Sequence, residues 1–256
     1  MISSISARLR LCMPPRARAA ALAYLLALTL PCAPAGADEI APAGRMLDDA
    51  LDAMHVEQGW PAGQHVNWET GIPDGRPEHG NGKHTHCSAF AAAFAKHVGV
   101  YLLRPPEHSP VLLANAQSYW LDNEYAQAQG WRPVPDATQA QALANAGQLV
   151  LALYRSHDDR KPGHVAIVRA ADKDAATLAA EGPQVTQAGA TNYTSTSLRV
   201  GFSGHPAAWK RGEVRYYAHD IAPETLAAAA GRFDVIISTV NVTLNWNLYI
   251  NTLKTR

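Results

Sequence analysis

Cysteine is almost missing from this chain of 256 residues: there are three, at positions 12, 32 and 87. The first two fall in a stretch that reads as a removable leader, so no cysteine pair is left to staple the remainder and burial must hold the fold. Excess charge is missing too. Lys plus Arg and Asp plus Glu each number 22, for a net charge of +0. With no basic run, that balance argues against nucleic acid as a partner. No apolar run reaches the roughly 20 residues a membrane-spanning helix needs. Internal repeats and low-complexity linkers are absent as well.

Residues 1–37 have the parts of an export signal. Arg8, Arg10, Arg16 and Arg18 make a positive start without an acidic residue, Ala19 to Leu30 is apolar but short, and Ala35-Gly36-Ala37 is a small-x-small cleavage site. A lipoprotein reading at Cys32 is disfavoured by Pro31, where a small residue is expected. The expected mature chain starts at Asp38 and is soluble, secreted or periplasmic, without a transmembrane segment, and monomeric. Residues 38–220 suit one domain with a full core, and 221–256 form a tail of uncertain role. One unpaired thiol, Cys87, then enters an oxidising compartment, where a spare thiol is a liability and points to chemistry.

Leu47, Leu51, Met54 and Gln58 recur at helical spacing and predict a surface helix from Gly44 to Gln58, stopped by Gly59. Residues 60–86 are rich in Gly and Pro and read as a long irregular loop of functional kind. A helix follows from Cys87 to Val98, with Phe90, Ala91, Phe94 and Val98 on one buried stripe. Further helices are expected over Val111–Gln129, with Tyr119 and Trp120 in the core, and over Thr138–Ala146, capped by Asp136. Trp131-Arg-Pro reads as a loop anchor. After Gly147 the pattern turns to strands: Gln148–Tyr154 as a buried central strand, His164–Ala170, Gln184–Ala188, Leu198–Phe202 and Glu213–Ala218. Alternation over Val240–Ile250 adds one more, with no evident neighbour. Helices followed by a mostly antiparallel sheet make an α+β arrangement.

Cys87 at a helix start meets unpaired backbone amides and the positive end of the dipole, both of which favour a thiolate and lower its pKa from about 8.5. An imidazole on a strand packed against that helix could hold the thiolate as an ion pair and later protonate a leaving amine. His164, opening a strand after Gly163, is placed for this role.

The order of irregular loop, Cys87-Ser-Ala-Phe90 opening a helix, and Gly163-His-Val-Ala-Ile-Val168 opening a strand resembles papain-like enzymes. It resembles above all their bacterial cell-wall branch, the CHAP (cysteine- and histidine-dependent amidohydrolase/peptidase) and NlpC-type hydrolases. The resemblance covers Asn81 to Ala218. It implies a papain-like fold and cleavage of amide bonds in peptidoglycan, or another peptide substrate, with Cys87 as nucleophile, His164 as general base and acid, and no cofactor. It also implies a third polar residue on the next strand to orient the imidazole. Where CHAP enzymes have an acidic residue followed by Asn, this chain has Gln187 and, slightly late, Asn192; both stay open, with Glu181 a third option before a Gly-Pro turn. One oxyanion donor is the backbone amide of Cys87. The second, a side-chain amide before the cysteine in papain-like enzymes, falls on Asn81, which a turn in Asn-Gly would equally explain.

Two rival readings keep the same residues. His79, His84, His86 and Cys87 cluster closely enough to suggest a metal site, though their spacing fits no common zinc pattern. A non-catalytic wall-binding module could keep the fold without the activity.

Overall fold

The computed structural model describes residues 39–77, 84–111 and 113–231. The leader, Asn81 and His79, and the alternating segment at 240–250 lie outside these residues. What is described is a mixed helix and antiparallel-sheet domain. Its helices, in chain order, are α1 (Pro42–Asp52), α2 (Cys87–His97), α3 (Leu113–Leu121), α4 (Glu124–Ala128), α5 (Ala137–Asn145), α6 (Ala175–Glu181), α7 (Leu198–Gly201), α8 (Pro206–Lys210) and α9 (Pro223–Ala229). Its strands are β1 (Arg132–Val134), β2 (Leu149–Tyr154), β3 (His164–Val168), β4 (Gln184–Gln187), β5 (Tyr193–Ser197) and β6 (Arg215–His219). They form one sheet in the order β1-β6-β2-β3-β4-β5, and every described pairing is antiparallel. No described helix is long and apolar enough to cross a membrane.

The two apolar runs take the middle of the sheet. β2 and β3 are buried along almost their whole length, so neither face can carry polar side chains without partners. β2 lies between β6 and β3, with Leu153 opposite both Arg215 and Val165. α2 packs on β3 and β4. It is buried all round from Cys87 to Ala95, not on one stripe as its apolar spacing predicts. Its alanines are the reason, since small side chains let a helix be enclosed on several sides at once.

Five other expectations give way. The segment 111–129 is two helices, because the Asn123 side chain accepts from the amides of Tyr125 and Ala126 and starts α4 afresh. Leu198–Phe202 is helical and the strand lies just before it. The buried residues there, Leu198, Gly201 and Phe202, stand three and four apart, and Ser197 caps the turn. The first helix ends at Asp52 rather than Gln58. Trp131-Arg-Pro contributes β1, and Tyr119 is half-exposed instead of in the core. α5 starts at its Asp136 cap, whose carboxylate accepts from the Gln139 amide at 2.8 Å. Beyond 220, α9 packs on α1 and buries Leu226.

The described part of the loop after α1 is ordered around one side chain. Trp60 is buried, meets Phe90 of α2 edge to face at 5.1 Å, and donates from its indole to the Trp68 carbonyl at 3.0 Å. The Trp60 amide closes the turn on Gly71, and Gly63 donates to the His84 carbonyl. The loop thereby reaches the segment just ahead of Cys87.

Candidate active site

β3 brings a histidine to the cysteine end of α2. Gly163 makes this junction possible: a Cβ there would collide with the Tyr154 carbonyl oxygen and lie 2.6 Å from Asn115 Oδ1. Asn115 is itself buried and pins the turn before β3, accepting from the Ser156 amide and donating to the Lys161 carbonyl. So the Gly-His pair has a packing cause as well as any chemical one.

Cys87 is buried and outside any disulfide. The backbone amide of Val165, the residue after His164, is directed at its sulfur, along with the Ser88 and Cys87 amides and the Thr85 hydroxyl. These donors favour the thiolate, yet burial outweighs them and pushes the Cys87 thiol up. That corrects the expectation of a lowered thiol pKa. The helix start supplies the expected amides, but the enclosed site strips away the water that would otherwise solvate a negative sulfur.

His164 is buried, and burial holds its pKa below the usual histidine value. Among the described residues, the sulfur's hydrogen-bond partners do not include this imidazole. Burial thus works against the charged form of each group.

The sheet explains which amide reaches the ring. Ile167 pairs with Thr186, so one step along Gln187 stands opposite Ala166, on the same face as His164. Gln187 Oε1 lies 2.7 Å from His164 Nε2, and Gln187 Nε2 points to the Thr191 carbonyl at 3.4 Å. With Oε1 toward the ring, Nε2–H is the donor and the lone pair sits on Nδ1. Space for this carboxamide is reserved by Gly201, where a Cβ would approach Oε1 to 2.8 Å.

Asn192 has a different task. Its Nδ2 is placed to donate to the carbonyls of Val56 and Gly59 at 2.8 Å and Trp60 at 3.2 Å, and its Oδ1 accepts from Gly189. It clasps the Trp60 loop to the end of β4 and shares no hydrogen bond with His164. Glu181 is half-exposed at the end of α6, 3.7 Å from Lys173.

Two ring neighbours of His164 escape notice in the sequence. Phe202 meets it edge to face at 4.7 Å, and His205 stacks on it at 5.6 Å and 25°. Burial and the nearby imidazole push His205 down to about 4. The signal for both lay in Phe202-Ser-Gly-His-Pro206, a turn-forming stretch with a histidine ahead of a helix-starting proline, but nothing in its spacing ties it to His164.

Of the candidate metal ligands, His86 Nε2 lies 2.9 Å from the Gln64 carbonyl oxygen. Among the described residues no group of three or more His, Cys, Asp or Glu side chains is arranged to hold a metal ion.

No family model matches this chain. A segment of 31 residues, 12% of the chain, is 68% identical to part of "Aldehyde reductase AdhA" from Synechocystis sp. (strain ATCC 27184 / PCC 6803 / Kazusa). The chain covers 9% of that relative's length, a likeness of one segment rather than of a domain.

Proposed function

We propose that this protein is an exported cysteine amidase or peptidase of papain-like fold, acting on amide bonds of peptidoglycan in the periplasm or outside the cell. The observation that carries the reading is the joint placement of Cys87 at the start of a buried helix, its sulfur against the Val165 amide, and His164 fixed by Gln187. The leader and the resemblance to CHAP and NlpC-type hydrolases supply the compartment and the substrate class.

The chemistry starts from the uncharged forms that burial favours. Cys87 Sγ attacks the amide carbon as its proton passes to His164 Nδ1. The carbonyl oxygen takes up the electron pair and meets the Cys87 backbone amide at the helix start. The imidazolium then protonates the departing amine and the C–N bond breaks, leaving a thioester. Water, deprotonated by the same nitrogen, hydrolyses the thioester and restores the thiol. Gln187 holds the Nε2–H side of the ring through every step. The oxyanion role proposed for Asn81 falls outside the described residues.

A second reading has its own support. The burial of Cys87 and its raised pKa also suit an inert thiol in a non-catalytic wall-binding module. The two readings part on one experiment: purified peptidoglycan is incubated with the wild-type chain and with Cys87→Ala, and soluble fragments are identified by mass spectrometry. Release by wild type and none by a folded Cys87→Ala is the expected outcome. Equal release from both, or none from either, overturns the enzyme reading, and the fragments' new termini identify the bond cut.

A further inference from the structure

His164 is not held by Gln187 alone. Its side chain shares a face of the sheet with that of Tyr154, because the two residues are directly paired across β3 and β2. The His205 ring touches both. It lies 5.2 Å from the Tyr154 ring and 5.6 Å from the His164 ring, with 25° between the two imidazole planes. Phe202 meets the same imidazole edge to face at 4.7 Å and 76°. An amide thus holds one nitrogen of His164, a second imidazole lies along its face, and a phenyl ring meets it side on.

One short segment delivers both rings. The His205 amide donates to the Phe202 carbonyl at 2.8 Å, just past the end of α7. Pro206 opens α8, where a proline is pre-organised for the helix, and the Ala208 amide donates to the His205 carbonyl at 3.0 Å. The backbone is therefore fixed on both sides of His205. Its side chain is placed differently: among the described residues its ring nitrogens make no hydrogen bond, so what it offers its neighbours is a flat face. Burial and the nearby imidazole hold His205 at about 4, so near neutral pH that face carries no charge to oppose an imidazolium at His164.

We propose that His205 is a positioning residue: its ring, stacked on His164, keeps the imidazole in the plane in which Nε2–H meets Gln187 and Nδ1 retains the lone pair. This rests on the amidase reading, in which that lone pair takes the Cys87 proton. It adds a group that acts on the base without touching substrate. A ring free to turn about its Cβ–Cγ bond would spend part of its time with Nδ1 misaimed, and a small misplacement of a reacting group costs rate.

The ring itself is read by NMR of the full chain labelled with 15N-histidine, the His164 signals being identified by their loss in His164→Ala. Near neutral pH they should show a protonated Nε2 and an unprotonated Nδ1. His205→Ala should move both signals toward the average of the two tautomers, and His205→Phe, which returns a flat ring, should restore the wild-type pattern. On soluble peptidoglycan fragments His205→Ala should lower kcat about tenfold with KM unchanged, the upper scale of one aromatic contact, and His205→Phe should recover most of that loss. Folding is checked by near-UV circular dichroism, and His205→Leu carries the same expectations if the alanine variant does not fold. An unchanged 15N pattern in a folded variant without the ring overturns the proposal, as does a phenylalanine variant that restores nothing, or a loss that falls on KM alone. A tautomer shift in a chain whose wild type releases no fragments sinks the amidase reading and leaves the positioning role standing; hydrolysis with an unmoved pattern does the reverse.

Discussion

The two ends of β3 handle buried polarity in opposite ways. At its start, burial holds the His164 pKa below the usual histidine value, and the ring is held by a neutral amide and enclosed by Phe202 and His205. Just past its end, Arg169 is charged and pinned from several directions. Its guanidinium reaches Asp52 at 2.9 Å and Asp48 at 3.5 Å, and donates to the Thr194 carbonyl at 2.6 Å, while Asp48 accepts from the Ala170 amide. The charged end ties α1 and β5 to the central strand, where separating the partners is costly. One strand thus has the proposed catalytic base at its start and a charged anchor just past its end, and the difference lies in charge compensation rather than in burial.

The largest effects should separate the two ends by what they destroy. His164→Ala is expected to reduce peptidoglycan hydrolysis to the detection limit while the chain still unfolds in one cooperative step. Arg169→Ala removes the cation shared by Asp48 and Asp52 and should cost about 1–3 kcal/mol, below the scale of a fully buried pair because Asp52 is half-exposed. Urea melts and fragment assays on both variants decide it. A His164→Ala chain with full activity, or an Arg169→Ala chain with unchanged midpoint, dissolves the contrast.

A smaller effect should divide the two amides near the site. Gln187→Ala removes the acceptor for His164 Nε2 and should lower turnover by about 10²-fold, the scale of losing one positioned group. Asn192→Ala should leave the chemical step near wild type and lower stability by about 1–3 kcal/mol, because it leaves carbonyls of the Trp60 loop without their donor. Rates and melting midpoints measured side by side test this, and a reversal of the two phenotypes would reassign the orienting residue.

The smallest effect concerns acid. Burial raises Asp48 to about 6 from 3.8, because Arg169 binds Asp52 more closely and offsets only part of the lost hydration. Between those values the folded chain binds a proton the unfolded chain does not, so this group's contribution to stability grows as pH falls from about 6 toward 4. His164 and His205 work the other way. Their folded pKa values lie below 6.5, with His205 at about 4, so stability is lost as pH falls through that window. Asp48→Asn should steepen the acid-side loss of stability and His205→Gln should flatten it, read from denaturation midpoints between pH 4 and 7. Shifts of the same sign in both variants would contradict the opposed roles of the two ends.

Much of the frame was legible because burial writes itself into periodicity. The continuous apolar runs at 149–154 and 164–168, the Asp136 cap and the helix beginning at Cys87 all follow from local rules. The expected leader and the alternation at 240–250 are readings of the sequence that lie outside the described residues. Where the reading failed, short local signals had been overlooked. Asn123 restarts a helix through its own side chain. The Leu198–Phe202 segment is helical, with buried residues three and four apart and a Ser197 cap, signals too short to stand out against its strand-like composition.

The site divides along the same line. Residue type and order were enough to select Cys87 and His164 as candidates and to narrow the orienting group to two amides with Glu181 as a third option, since those choices rest on chemistry that each side chain carries with it. Tertiary structure alone decided that Gln187 faces the imidazole while Asn192 holds a loop, because that depends on the β3–β4 register and on the room Gly201 leaves. It alone decided that the Cys87 thiol is pushed up rather than down. A helix start favours a thiolate wherever it occurs, but enclosure of the sulfur by the rest of the chain removes water, and that loss is a property of the packed fold, to which the local sequence is blind.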